Sequence, residues 1–100
     1  MKLDELEIAV QKYCKHLQDN FDKRGFSSGK KYYYEFGRKY IHIISESNQR
    51  SSHSWVMMSD DKKFKAGDIL KSASWNAPAR NFARGNVFTG EFSHISCYGV

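Results

Sequence analysis

The stretch Lys31-Tyr32-Tyr33-Tyr34-Glu35-Phe36-Gly37-Arg38-Lys39-Tyr40-Ile41-His42-Ile43-Ile44 decides the fold class. Aromatic and β-branched residues fill both halves, which suits a pleated surface better than a helix. Tyr32–Phe36 reads as one strand and Tyr40–Ile44 as the next, with Gly37-Arg38-Lys39 as the turn or a bulge. The period of two places Tyr32, Tyr34 and Phe36 on one face and Tyr33 and Glu35 on the other. In the second strand Ile41 and Ile43 share a face, opposite Tyr40, His42 and Ile44.

Upstream, residues 3–23 predict one amphipathic helix. Leu3, Leu6, Val10, Tyr13 and Leu17 recur at steps of three and four, Phe21 continues the stripe, and Ile8, Ala9 and Cys14 flank it. Asp4, Glu5 and Glu7 start it and Lys23 and Arg24 end it, as the helix dipole favours. Gly25 is a natural stop, and Phe26–Gly29 a loop. Downstream, the polar run Ser45–Ser52 reads as a loop and His53–Met58 as a third strand. Ser59–Lys63 has turn chemistry, and a fourth strand lies around Asp68-Ile69-Leu70-Lys71, entered through Gly67. A long structured segment spans Trp75–Asn86, and Phe92–Tyr98 reads as a last strand. The expectation is a single domain over residues 1–100, of the α+β class: an N-terminal amphipathic helix packed on a small antiparallel meander, with a long Trp/Arg loop.

Composition narrows the function. No apolar run approaches the ~20 residues of a membrane span, and Met1–Glu5 is acidic with no apolar signal segment, so a cytoplasmic protein without membrane contact is expected. Cys14 and Cys97 then read as reduced thiols. The formal net charge is +5, but residues 1–24 are balanced, so the excess lies beyond the helix. Such an excess fits a nucleic acid or an acidic protein partner as well as simple solubility.

The segment from Ser74 to Phe88 gathers a tryptophan, the only proline, two arginines, three asparagines and a glycine. Trp75 and Phe82 read as apolar anchors. If Ala79–Arg84 turns helically after Pro78, Arg80 and Arg84 share one face, and their forks would suit a phosphate or carboxylate, with Asn76, Asn81 and Asn86 adding amides. The plainer reading is that these arginines only hold the loop. Gly85 reads as a positive-φ position. Residues 64–88, preceded by His53, Trp55 and Val56, resemble a group of small tailed-bacteriophage proteins with the pattern Gly-Asp-x-Leu-Lys-x-Ala-Ser-Trp-x-Ala-Pro-Ala followed by Ala-Arg-Gly-Asn. The resemblance covers roughly residues 38–90. It implies a phage-encoded protein acting in the host bacterial cytoplasm, organised around the tryptophan loop; it carries over no catalytic or binding residue.

A second cationic feature interleaves Lys30, Lys31, Arg38, Lys39 and Arg50 with Tyr32, Tyr33, Tyr34 and Tyr40, a combination that stacks bases and neutralises phosphates. The competing reading packs most of these tyrosines on the helix and leaves Tyr33 the most exposed. His94 and Cys97 lack the companions of a metal site, and His53 reads as a buried, hydrogen-bonded histidine. No phosphate loop, nucleophile elbow or paired carboxylates appear, so neither catalysis nor a cofactor is expected. The expected function is a non-enzymatic accessory protein binding an anionic partner, nucleic acid above all, through Arg80, Arg84, Asn81, Asn86, Lys71, Trp75, Lys30, Lys31, Tyr33, Arg38 and Lys39. The alternative is a module that binds and inhibits or redirects a host protein, with Trp75 and Arg80 as anchor types. Oligomeric state stays open.

Overall fold

A computed structural model describes residues 2–23, 30–47, 49–75, 77–80 and 83–95; of Lys2 and Leu3 it describes the backbone only. The helix α1 runs Lys2–Lys23, with Asp4 and Glu5 in its first turn and Lys23 in its last. Leu6, Ala9, Val10, Tyr13, Leu17 and Phe21 form its buried stripe, as the spacing predicts. Five strands follow: β1 Lys31–Phe36, β2 Tyr40–Glu46, β3 Arg50–Met57, β4 Asp68–Lys71 and β5 Gly85–Asn86. They pair antiparallel in chain order. The α+β meander is thus the observed fold.

The sheet has a buried cluster on each face. On the helix side Tyr32, Ile41, Ile43, Val56 and Ile69 meet the α1 stripe, with Val87 and Ile95 closing the edge. On the other side Trp55, Met57, Phe64 and Leu70 form a smaller cluster with Tyr40 against it. The alternation read for β1 and β2 therefore holds: Ile41 and Ile43 face the helix and Tyr40 and His42 face away.

Three expectations need correction. Ser45–Ser52 is not a loop: β2 continues to Glu46 and β3 begins at Arg50, with Ser45 paired to Ser51 and Ile44 to Ser52. Serine tolerates a strand where its hydroxyl finds partners, as Ser52 Oγ does at 2.6 Å from both His42 Nε2 and Ser72 Oγ. Phe92–Ile95 is not a strand but a turn and its exit; residues 96–98 lie outside the described residues. Phe92 and Ile95 both pack inward at a spacing of three, which is a turn's period rather than a strand's. Finally, the edge strand is Gly85–Asn86, and Gly85 has no positive φ; among the described glycines only Gly67 and Gly90 do, at 88° and 77°. Gly85 is required by space instead, because a Cβ there would collide with the carbonyl oxygen of Glu91. Gly85→Ala is accordingly expected to lower the melting temperature and loosen β5. Hydrogen exchange at Asn86, whose N–H bonds Glu91 O at 3.1 Å, checks it; unchanged protection would refute it.

One irregularity orients the site. The register of β2 with β3 shifts between Ile43 and Ile44, so Ser54 opposes Ile43 while Ser52 opposes Ile44. The extra residue, His53, joins Ser54 in facing α1. Tyr13 Oη lies 2.8 Å from Ser54 Oγ, His53 Nδ1 lies 2.9 Å from the same oxygen, and the His53 ring meets Tyr13 and Tyr32 edge-on. His53 is thus a buried, hydrogen-bonded histidine. The bulge also turns Ser52 and Arg50 to the face away from the helix, beside His42 and Tyr33.

Candidate nucleic-acid interface

The face away from α1 carries the loop residues. Beyond β4 the chain turns back at once: Ser72 pairs with Pro78, Ala73 N and Ser74 N both donate to Ala77 O at 3.1 Å, and Ala79 N donates to Lys71 O at 2.7 Å. The arms of a hairpin therefore meet at Ser72 and Pro78, and Pro78 sits in the returning arm rather than at a helix start. The described residues Ala79, Arg80, Ala83 and Arg84 are not helical. The two arginines consequently do not share a face. Arg80 donates from Nη1 to Tyr40 Oη and from Nη2 to Asp61, both at 2.6 Å, with its guanidinium 4.9 Å from the Phe64 ring. Arg84 is half-buried with Nε enclosed, and its carbonyl accepts His94 Nε2 at 2.6 Å. Asn86 spends its amide on the turn it starts, donating to Asp68 and Ala66 and accepting from Phe88 N and Thr89 N. Asn76, Asn81 and Phe82 lie outside the described residues, as does Cys97.

Trp75, read as an apolar anchor, is 41% exposed, whereas Trp55 is 8% exposed. Trp75 stands at the hairpin tip with its ring in a T-shaped contact with His42 at 4.6 Å. His42 in turn stacks flat on Trp55 at 3.8 Å, and Tyr40 meets Trp55 at 5.9 Å. The Arg50 guanidinium lies 5.1 Å from the Trp75 ring and 5.8 Å from Tyr33. Arg50 is itself fixed by Glu35 Oε2 at 2.8 Å, Tyr33 Oη at 2.9 Å and Glu46 at 3.8 Å. Tyr33, whose hydroxyl also donates to Glu46 at 2.5 Å, is half-buried, as are Tyr34 and Tyr40. Tyr32 and Tyr34 belong to the helix side, Tyr34 Oη bonding Glu7 and Gln11.

The basic run of residues 30–39 is split by the strand it flanks. Lys31 begins β1 and Arg38 and Lys39 follow its end, about 17 Å away at ~3.3 Å per residue. Lys30 Nζ sits 5.9 Å from the Phe21 and Tyr32 rings. Lys71 is exposed and alternates with Leu70, which puts it on the helix face. Arg38 and Lys39 join a different group. Met58 N donates to Lys39 O at 3.1 Å, bringing the β1–β2 turn against the β3–β4 connection. That end of the sheet gathers Arg38, Lys39, Lys62, Lys63, Lys65 and Arg80 around Asp60, Asp61 and Asp68, with Glu5 of α1 lining the adjoining groove beside Asp60. The lysines 62 and 63 read in the sequence as turn chemistry; only the pairing of the two turns places them in a cluster.

Asp61 is the pin of this end. Its Oδ1 accepts Lys63 N at 2.8 Å and Phe64 N at 2.7 Å, and its Oδ2 accepts Arg80 at 2.6 Å with Lys39 Nζ at 3.6 Å. Lys63 Nζ donates to Arg80 O at 2.6 Å. The Arg80 hydrogen bond first, and the two backbone N–H groups after it, hold the Asp61 carboxyl well below its ordinary value. A carboxyl depressed by folding stabilises the fold above its unfolded pKa, ~3.9, and that contribution disappears as pH falls toward the folded value. Melting curves of the wild type are therefore expected to drop more steeply below about pH 4 than those of Asp61→Asn. Parallel curves would show that Asp61 contributes nothing through its charge.

A serine–histidine contact on the same face invites a catalytic reading, and the hydrogen bonds decide against it. Ser72 Oγ donates its one proton to Ser74 O at 2.8 Å and accepts the Trp55 indole N–H at 3.2 Å. Ser52 must then donate to Ser72, so His42 Nε2 donates to Ser52 Oγ. A general base would need the lone pair there instead. Burial holds the His42 imidazole below its ordinary value, with Glu35 and Arg50 acting in opposite senses. Cys14 is likewise a packing residue, its thiol pushed up to about 12 by burial. Among the described residues no group of three metal-ligating side chains occurs, and no helix is long and apolar enough to cross a membrane.

A helix-covered antiparallel meander with a cationic end and a tryptophan hairpin is the kind of object defined so far. The chain belongs to a family of unknown function, DUF7717, whose pattern matches residues 1–96. No curated protein and no solved structure matches it.

Proposed function

We propose that this is a small, non-enzymatic phage accessory protein that binds nucleic acid in the host bacterial cytoplasm. The observation that carries the reading is the cationic end of the sheet, where six basic side chains gather around three aspartates, with Glu5 beside them, in a chain whose net charge is +5. All three aspartates are engaged by backbone N–H groups as well, Asp61 by Lys63 and Phe64, Asp60 by Ala66 and Asp68 by Lys65. The phage setting rests on the Gly-Asp-x-Leu-Lys-x-Ala-Ser-Trp motif. Neutralising phosphates releases counterions, so affinity for single strands falls with a slope of about −0.7 per phosphate contacted when plotted against log salt. Titration of labelled single strands and duplexes at low salt tests the reading; no binding at roughly tens of micromolar protein, where even non-specific binders register, would end it.

One observation favours a second reading, a module that captures a host protein. Ile8 and Phe88 are 54% and 46% exposed and line neighbouring grooves with Glu5, Met58 and Phe92. Saturable, salt-insensitive capture of one protein, abolished by Ile8→Lys, would favour it.

A further inference from the structure

We infer that Trp75 is a stacking platform for an unpaired base, so the nucleic acid taken is single-stranded or has unpaired bases; this rests on the nucleic-acid reading above. The indole is presented rather than buried. The Ser72–Pro78 pairing and the two bonds to Ala77 O tie the arms of the hairpin together beside Trp75, and Ser72 Oγ donates to Ser74 O. His42 packs against the ring in a T-shaped contact at 4.6 Å and the Arg50 guanidinium lies over the ring at 5.1 Å, yet the residue stays 41% exposed. A flat apolar surface held at low entropic cost is what base stacking needs.

The charge around it points to a base rather than a phosphate. Glu35 and Glu46 balance Arg50 and Lys31, the latter paired with Glu46 across the strands. The cationic end lies along the same face: Arg80 bonds Tyr40, and Trp75 meets His42 two residues further along β2, about 7 Å on. A strand of a few nucleotides can touch both. A regular duplex cannot, because its bases are stacked on each other. Phe36 and Phe88 are also exposed, but Phe36 packs on Tyr34 on the helix side and Phe88 lines the Ile8 groove.

The test uses the full chain and two strands of equal length and charge, an oligothymidylate and its abasic sugar–phosphate counterpart. Stacking one base predicts that the wild type prefers the thymidylate by about 5- to 150-fold. Trp75→Ala should erase that preference and leave the salt slope unchanged, and Phe36→Ala should keep it. Equal affinity for the two strands overturns the inference while the nucleic-acid reading stands, as does a preference that survives Trp75→Ala or vanishes with Phe36→Ala. Binding to neither strand removes both. Should Trp75→Ala fail to fold, the wild-type comparison still decides, and Trp75→Phe, which keeps a ring, should retain part of the preference.

Discussion

Leu17→Ala is expected to lower the stability of the domain by about 2–5 kcal/mol, the usual loss for truncating an enclosed leucine. Leu17 is fully buried in the helix-side cluster with Tyr13, Phe21 and Tyr32. A domain of this size has only about 5–15 kcal/mol to lose. At ~4–8 °C per kcal/mol, the melting temperature should drop by at least about 8 °C. A shift of only a degree or two would mean that α1 is an appendage rather than one layer of the core. Exposed positions of the same helix serve as controls: Lys15→Ala, which removes a surface pair with Asp19 at 3.5 Å, should change stability by less than about 0.5 kcal/mol.

The second large effect is on binding. Replacing Lys39, Lys62, Lys63 and Lys65 by glutamine strips the cationic end while leaving Arg80 on Asp61. Affinity for single strands at low salt should fall by at least about tenfold, and the salt slope should become shallower by about 0.7 for each phosphate no longer neutralised. Glutamine at Lys30 and Lys31, which lie at the far end of β1, should change the slope less. Equal effects from both sets would mean that charge acts diffusely and that the gathered turns have no special part.

The helix and the first hairpin were legible because their signals are local. Steps of three and four from Leu6 to Phe21 and alternation from Tyr32 to Phe36 and from Tyr40 to Ile44 need no tertiary knowledge. The start of β3 was not, because Ser51 and Ser52 resemble a loop until His42 and Ser72 are beside them. Arg80 and Arg84, four apart, suited a helical turn, but neither they nor Ala79 and Ala83 are helical, and Pro78 pairs instead with Ser72, a residue whose spacing from it carries no signal. Trp75 read as an anchor because tryptophan is so often buried, but Trp55 holds that place and Trp75 rests on the outside of the same stack. The cationic end was hidden most completely. Its members come from two turns and a hairpin arm, and charge counting along the chain showed only an excess beyond the helix.

The bulge at His53 makes β3 a counted element. Substitutions along Arg50–Ser54 change one side chain each, but straightening the strand with all its residues in place would send Arg50 and Ser52 toward the helix, whereas removing His53 would restore simple alternation with both still facing away. On such straightening the approach of Arg50 to Trp75 and the Ser52 bond to His42 would break together. Among family members, loss of the residue at His53 should therefore be tolerated by this face, and gain of a residue between Arg50 and Ser54 should not. The face that carries the tryptophan hairpin is in this sense kept by residue number as much as by residue type.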